Sequence, residues 1–102
     1  MKLIVQIPAL NEEETIATAI AEIPRKMPGV TSVEVLVIDD GSTDKTVEVA
    51  RKAGADHILI MPSNVGLARA FSAGIEEALA LVQAAAPLGD RLRGLVRMGD
   101  RR

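Results

Sequence analysis

Apolar residues along the chain gather in three short runs that are separated by helical patterns. The runs lie at residues 2–8 (KLIVQIP), 33–39 (VEVLVID) and 57–62 (HILIMP), and each stops at proline or aspartate. Continuous apolar runs of this length, bounded by turn-forming residues, are typical of strands that are buried on both faces of a sheet. We therefore predict three strands.

Between these runs, apolar residues recur every three or four positions, which is the spacing of one helix face. Asn11 precedes three glutamates at positions 12–14, and a capping residue ahead of carboxylates predicts a helix that starts there. A second helix is predicted over about residues 43–53, with Gly54 as its C-terminal glycine. A third begins near Leu67, and the glycine inside it, Gly74, predicts close packing on the sheet.

The order of elements is therefore βαβαβα. Strands that alternate with helices through short links predict a parallel, Rossmann-like α/β sheet, here of three strands. Ligands of such sheets bind beyond the carboxyl ends of the strands, where loops and helix N-termini gather. Three loops consequently carry the candidate chemistry, at residues 8–14, 39–44 and 62–69.

Composition narrows the classes of function. The chain of 102 residues has room for one hydrophobic core. One phenylalanine without tyrosine or tryptophan gives no platform for stacking bases, and a net charge of −2 gives no basic field, so we expect no nucleic-acid partner. Cysteine is absent, and no segment resembles a membrane span or a signal peptide, so we expect a cytoplasmic protein.

Charge divides the chain near residue 86. Residues 1–86 hold 7 basic and 12 acidic residues, whereas residues 87–102 hold 5 basic and 2 acidic ones. We predict a domain over residues 1–86 and a basic, atypical C-terminal tail over residues 87–102. Two interpretations of the tail stay open: a loosely ordered segment that binds an anionic partner, or a truncated or altered end without a selected role.

Two adjacent carboxylates give the strongest chemical signal. The second run delivers Asp39 and Asp40 to its C-terminal end, and Gly41 allows a sharp turn into the next helix. Carboxylates in this position can accept hydrogen bonds from ribose hydroxyls or from the N–H group of a base. A simple capping turn, in which Asp40 or Ser42 accepts from free backbone N–H groups, explains the same residues equally well.

The other two loops supply further candidates. The first places four residues where they can hold the edge of a nucleobase: Pro8, Leu10, Asn11 and Glu12. A helix cap is the alternative there. The third places Asn64, Gly66 and Arg69 near a helix N-terminus, which suits phosphate oxygens, although an arginine on a surface is often only solvated or ion-paired. The lone histidine, His57, opens a strand and is predicted to be structural.

Three segments, IPALNEEETI, VEVLVIDDGSTDKT and NVGLARAFSAGIEEAL, resemble in order and spacing the opening half of family 2 glycosyltransferases with the GT-A fold. The subgroup most similar to residues 2–79 is that of dolichyl-phosphate mannose synthases and related polyprenyl-phosphate sugar transferases. The resemblance implies that Pro8, Leu10 and Glu12 line a base pocket, and that Asp40 binds base or ribose with support from Asp39. Many members carry tyrosine in place of Leu10, so weaker stacking on the base is implied.

The resemblance also implies a divalent metal. Family members follow the third helix with a strand ending in Asp-x-Asp, whose carboxylates hold Mg²⁺ or Mn²⁺ against the diphosphate of the donor. This chain lacks that motif, because Pro87 interrupts the corresponding segment and Leu92 stands where the second carboxylate would be. We identify neither catalytic residues nor metal ligands in the sequence.

These observations predict the nucleotide-sugar-binding part of a glycosyltransferase that uses UDP or GDP donors and inverts the sugar. In the family the acceptor can be a polyprenyl phosphate, which places some members at the cytoplasmic membrane face. Without the metal motif and the acceptor half, we expect no activity from this chain alone. Two alternatives remain: a non-catalytic nucleotide-binding or interaction module, and an unstable fragment whose open sheet edge favours self-association.

Overall fold

Three parallel strands and three helices make up residues 1–83, the part of the chain that the computed structural model describes. The elements are β1 (Lys2–Ala9), α1 (Ile16–Ala21), β2 (Ser32–Asp39), α2 (Thr46–Lys52), β3 (His57–Ile60) and α3 (Leu67–Val82). The strand order is β1-β2-β3 and both pairs are parallel. This confirms the predicted Rossmann-like fold and is consistent with a partial GT-A fold. The predicted tail, residues 87–102, lies outside the described residues.

The sheet has an apolar core on each face, and the strand at its centre, β2, contributes to both. Val35 and Val37 point to the face that α1 and α2 cover, whereas Leu36 and Ile38 point to the face that α3 covers. All four are completely buried. Because burying one such side chain stabilises the fold by about 1.5–3 kcal/mol, the continuous apolar sequence of β2 fixes it between the two helical layers.

The third helix runs unusually close to the sheet at Gly74. A Cβ atom at this position would stand 2.7 Å from Cδ1 of Ile38, so only glycine fits without a rearrangement. The close packing predicted from Gly74 is confirmed.

Proline is accommodated in β1 because this strand lies at the edge of the sheet. The Ala9 carbonyl accepts from Asp40 N at 2.9 Å, so the backbone groups of Ala9 face β2. Neighbouring residues of a strand alternate in direction, and the nitrogen of Pro8 therefore faces away from β2. No ladder hydrogen bond is lost at Pro8.

Two predicted helix starts are wrong. Helix α1 begins at Ile16 rather than at Asn11, and α2 begins at Thr46 rather than at residue 43. Asn11 has φ = 53°, a left-handed conformation that does not suit a helix N-cap. The polar residues ahead of both helices form hydrogen bonds between the loops instead of extending the helices. By contrast, Gly54 follows the last residues of α2 with φ = 102°, which confirms its predicted role.

A charged ladder crosses the sheet at the amino end of the strands. Glu34 of β2 lies between Lys2 of β1, whose Nζ is 3.4 Å from Oε2, and His57 of β3, whose Nε2 is 2.6 Å from Oε1. Burial alone raises the pKa of Glu34, but the hydrogen bond from His57 and the positive charge of Lys2 outweigh it, so this pKa lies below its ordinary value. His57 thus holds the strands together, at the end of the sheet opposite the candidate loops.

No helix within residues 1–83 is both long and apolar enough to cross a membrane.

Candidate functional site

The three candidate loops meet at the carboxyl edge of the sheet. Strand β2 ends at Asp39, which is in register with Ala9 of β1 on one side and with Ile60 of β3 on the other. The loops that follow these strands, residues 10–15, 40–45 and 61–66, consequently start side by side. Asp39 is at the centre of this edge.

The first two loops are bound to each other through Asn11. Its backbone N–H donates to Ser42 Oγ at 2.9 Å, and its Oδ1 accepts from the backbone N–H of Thr43 at 2.8 Å. The next residue, Glu12, donates its N–H to Thr46 Oγ1 at 2.8 Å. Because short polar side chains readily bond to nearby backbone groups, these residues fix the geometry of both loops and do not cap α1.

Asp39 is a buried carboxylate with one oxygen free. Asp39 is only 2% exposed. Its Oδ2 accepts from the backbone N–H groups of Gly41 and Ser42 at 3.3 and 3.2 Å. The other oxygen, Oδ1, is buried and has no hydrogen-bond partner within residues 1–83. A buried oxygen without a donor costs free energy, which a ligand that supplies a donor would recover.

Asp40 has a different environment, since both of its oxygens accept from the third loop. Oδ1 accepts from Val65 N at 2.9 Å and Oδ2 from Gly66 N at 3.0 Å, and the residue is completely buried. The carboxylate therefore attaches the third loop to the end of β2. Gly41 permits this close approach, because a Cβ there would lie 2.9 Å from the backbone nitrogen of Asn64.

An acidic cleft of about 170 Å³ lies between the first two loops. It is lined by Asn11, Glu12, Glu13, Glu14, Thr15 and Asp44. Glu12 Oε2 accepts from Thr15 Oγ1 at 2.6 Å, which ties this candidate to the turn before α1. The hydroxyl of Thr46 donates to Asp44 and lowers the pKa of that carboxyl below its ordinary value. The cleft is thus lined by four carboxylates, at positions 12, 13, 14 and 44.

The third loop leads into the first turn of α3. Asn64 Oδ1 accepts from the N–H of Gly66 at 3.2 Å, and Gly66 has φ = 95°, which glycine adopts without strain. Arg69 follows in the first turn of this helix, exposed, and forms no ion pair with any residue of the described chain. The remaining candidates, Pro8 and Leu10, are half-buried beside Ala9 at the end of β1.

The structure therefore joins some candidates directly and leaves others apart. Asp40 contacts Gly66, and Asn64 packs against Gly41, so the second and third loops form one unit. Two residues that the sequence did not single out, Asp44 and Thr46, help to hold the first two loops together. Ser42, considered only as a cap, accepts from the N–H of Asn11 in the first loop. The sequence feature that could have identified these residues is the recurrence of Ser, Thr and Asp in the second loop.

The described residues do not fit a metal centre. Within residues 1–83, no group of three or more histidine, aspartate or glutamate residues is placed to hold a metal ion. Asp39 and Asp40, although adjacent, accept hydrogen bonds from different loops. No step of chemistry through a metal is derived from these residues.

Comparison with known proteins assigns the chain to a family. Residues 4–81 match glycosyl transferase family 2. The uncharacterized protein MJ1222 of Methanocaldococcus jannaschii is 40% identical over 81 residues, which cover 76% of this chain and 30% of that relative. The chain thus spans less than a third of the relative's length. No solved structure matches the chain significantly. Because the match extends over well more than half of the sequence, the chain belongs to glycosyl transferase family 2.

Proposed function

We propose that residues 1–83 form the donor subsite of a glycosyltransferase and bind the nucleotide of a UDP- or GDP-sugar. Family 2 membership implies a nucleotide-sugar donor and an acceptor in general. The assignment to this chain depends chiefly on one observation, the buried Oδ1 of Asp39 that lacks a hydrogen-bond donor at the carboxyl edge of the sheet.

The chemistry of Asp39 matches a nucleoside. Uracil and guanine both present ring N–H groups, and ribose presents hydroxyls, so each can donate to Oδ1. A hydrogen bond to a charged acceptor in a buried site is stronger than one between neutral groups. Pro8 and Leu10 would supply the apolar surface against the base, and Glu12 a further acceptor at its edge. Asp40 would act on the site by holding the third loop in place.

The first turn of α3 suits the diphosphate. A helix of 16 residues presents unpaired N–H groups in its first turn, and its dipole favours negative charge there. Gly66 allows close approach of an anion to the backbone, Asn64 adds a polar side chain, and Arg69 carries a positive charge without an ion pair in the described chain. These three residues would contact the phosphate oxygens.

Transfer itself would require groups beyond the described residues. The chemistry expected of the family includes a divalent cation that offsets the charge of the leaving diphosphate, and a base that deprotonates the acceptor hydroxyl as it attacks the anomeric carbon with inversion. Residues 1–83 offer no set of metal ligands. We therefore propose that this chain binds the donor but does not transfer the sugar alone.

The sugar acceptor and the cellular location that we propose rest on the resemblance to polyprenyl-phosphate sugar transferases, including dolichyl-phosphate mannose synthases. We propose a polyprenyl phosphate as acceptor of the whole enzyme, and a site of action at the cytoplasmic face of a membrane. Residues 1–86 would be the donor domain, with residues 87–102 as a separate tail.

Calorimetric titration of the full chain with UDP and GDP, with and without Mn²⁺, tests the proposal. We expect one of the two nucleotides to bind, with an affinity that Mn²⁺ does not raise. Asp39→Asn should weaken binding at least about tenfold, because it removes a charge-assisted hydrogen bond. The matched control is Glu48→Gln, an exposed residue of α2, which should bind as the wild type does. Folded protein that binds neither nucleotide would refute the donor subsite.

The alternative is a non-catalytic interaction module. It is favoured by Asp40 and Glu12, whose carboxylates already accept hydrogen bonds within the protein and serve its loops. Under this alternative, the folded chain binds neither UDP nor GDP, or binds one of them with an affinity that Asp39→Asn leaves unchanged. The same titration therefore separates the two.

A further inference from the structure

Helix α3 carries an exposed apolar stripe beside the outer edge of β1. Phe71, Ile75, Leu79 and Val82 follow one another at helical spacing and are 44, 41, 56 and 44% exposed. The last three of them also line a groove of about 280 Å³ between the helix and the strand. Aligned apolar side chains next to the edge of a sheet are typical of a binding surface.

The outer edge of β1 offers backbone hydrogen-bonding groups. The carbonyls of Met1 and Ala9 accept from Thr31 N and Asp40 N at 2.8 and 2.9 Å, which turns the odd-numbered residues of β1 toward β2. Directions alternate along a strand, so the backbone groups of residues 2, 4 and 6 point away from β2. No strand within residues 1–83 pairs with this edge. An added strand would bind these groups.

A second copy of β1 matches this edge when it runs antiparallel about a two-fold axis at Ile4. Ile4 then exchanges both backbone hydrogen bonds with Ile4 of the second copy, and Lys2 exchanges both with Gln6 of that copy. Pro8, which has no N–H, falls outside the paired residues. An axis further along β1 would set Pro8 against a carbonyl of the second copy and leave that carbonyl without a donor. The sequence of β1 therefore favours the axis at Ile4.

The apolar stripe of α3 is centred at the same level as Ile4. Gln6 lies against Gly74, because a Cβ there would meet Gln6 Oε1, and Lys2 Nζ donates to the carbonyl of Leu81 at 3.4 Å. Strand and helix therefore run antiparallel, and Ile4 lies level with the middle of residues 74–81. The stripe covers residues 71–82, and its centre differs from this level by one residue, or about 1.5 Å along the helix. A two-fold axis at Ile4 consequently sets the two stripes side by side over their whole length.

The two α3 helices also have suitable spacing in such a pair. A two-fold axis perpendicular to the sheet keeps both helices on the same face. Helix α3 packs mainly on β1 and also on β2, so its axis lies between these two strands. With strands about 4.8 Å apart, the axes of the two helices would be about 10 Å apart, close to the 8–10 Å of packed helices.

We propose that two copies of this chain associate through β1 and α3 and join their three-stranded sheets into one continuous sheet. Ile75 then contacts Leu79 of the second copy, and Phe71 contacts Val82 of that copy. The same surface is used by both copies, as in most homodimers. The proposal goes beyond the donor subsite and does not depend on nucleotide binding.

Sedimentation equilibrium of the full chain without nucleotide, over a hundredfold range of protein concentration, tests the association. We expect a monomer–dimer equilibrium, because mass action raises the dimer fraction with concentration. Amide hydrogen exchange of the ¹⁵N-labelled chain should follow it. The N–H groups of Ile4 and Gln6 should exchange more slowly as the dimer fraction rises, whereas Val37, in the central strand, should be protected throughout.

A pair of glutamate variants tests the helix side of the interface. Leu79→Glu puts a charge in the middle of the stripe and should weaken dimerisation at least tenfold. Ala80→Glu is the matched control, since Ala80 is also exposed but lies about 100° around the helix from Leu79, outside the stripe. The amide of Val37 reports whether each variant is folded. Equal dimerisation of the two folded variants would overturn the proposal.

Single cysteines test the position of the axis, because the chain has none of its own. In Ile4→Cys, the two Cα atoms would be about 5.5 Å apart, a distance that a disulfide spans. In Gln6→Cys they would be more than about 13 Å apart, which a disulfide does not span. Oxidation with diamide should therefore link the copies of Ile4→Cys and leave those of Gln6→Cys separate.

Three further results would overturn the proposal. The first is a folded chain that stays monomeric over the whole range of concentration. The second is protection of Ile4 and Gln6 in the monomer, which would mean that another part of the same chain covers the edge. The third is cross-linking of Gln6→Cys as fast as that of Ile4→Cys.

Discussion

Asp39 and Asp40 are adjacent in sequence, yet their carboxylates have different tasks. Asp40 places both oxygens on backbone N–H groups of the third loop, whereas Asp39 keeps one buried oxygen without a donor in the described chain. A buried acceptor is stabilised only when a donor reaches it. Asp40 is therefore suited to hold the fold of the loops, and Asp39 to receive a ligand.

Asparagine substitutions separate these two tasks. Asp40→Asn replaces one acceptor with an NH₂ group that faces a backbone N–H, and should lower the free energy of unfolding by about 1–3 kcal/mol. In Asp39→Asn the NH₂ group can take the position of Oδ1, the oxygen that has no donor in the described chain, so stability should be nearly unchanged. Urea unfolding of both variants, with equal m-values, measures this difference. Equal destabilisation of the two would contradict the division of roles.

Gly41 offers a second test at the level of one residue. Its φ of 90° strains any other side chain, and a Cβ would meet the backbone of Asn64 at 2.9 Å. Gly41→Ala should lower the free energy of unfolding by more than the about 1–3 kcal/mol that backbone strain alone costs. Gly29→Ala is the control, because Gly29 has φ = 79° with nothing within 4 Å of a Cβ. Gly29→Ala therefore measures the cost of backbone strain alone. If it lowers the free energy of unfolding as much as Gly41→Ala does, the loops around Gly41 are not closely packed.

At the level of elements, the strands could be predicted from sequence and the starts of two helices could not. Strands are specified locally, since β2 is apolar at nearly every position and buried on both faces. The polar residues ahead of α1 read as a cap, but Asn11 forms its hydrogen bonds with Ser42 and Thr43, over thirty positions away. The polar pattern of one segment does not predict a hydrogen bond to a residue that is distant in the sequence.

The ladder across the sheet predicts a pH dependence of stability. The pKa of Glu34 is lower in the folded protein than its ordinary value, so the folded state favours the ionised form. Its contribution is complete above the unfolded pKa of about 4.3 and is lost as the pH falls through the lower, folded pKa. Glu34→Gln should therefore flatten the decline of unfolding free energy between about pH 5 and pH 3, measured by urea denaturation.

A matched variant controls that comparison. Glu48→Gln removes an exposed carboxylate of α2 and should keep the steeper wild-type decline. Some acid dependence will remain in Glu34→Gln, because the pKa of Asp44 is also lowered, chiefly through the hydrogen bond from Thr46. Identical slopes for the wild type and Glu34→Gln would show that the ladder does not stabilise the strands through charge.

For the whole molecule, the order of elements was sufficient to predict a parallel sheet and to place three loops at one edge of it. The resemblance gave ligand binding to Asp40 and a supporting role to Asp39, whereas the hydrogen bonds of the described chain favour the reverse. That distinction depends on how the third loop folds back onto Asp40, a contact between residues separated by about 25 positions.

A nucleotide titration followed by ¹H–¹⁵N correlation spectra of the full chain tests the central claim most directly. With UDP or GDP, we predict chemical-shift changes concentrated in residues 10–14, 39–44 and 63–69, including the amides of Gly41 and Ser42 beside Asp39. The changes should be markedly smaller in Asp39→Asn at the same subsaturating nucleotide concentration. Shifts confined to the opposite edge, around Lys2, Glu34 and His57, or no shifts in folded protein, would contradict a donor subsite at the carboxyl edge of this sheet.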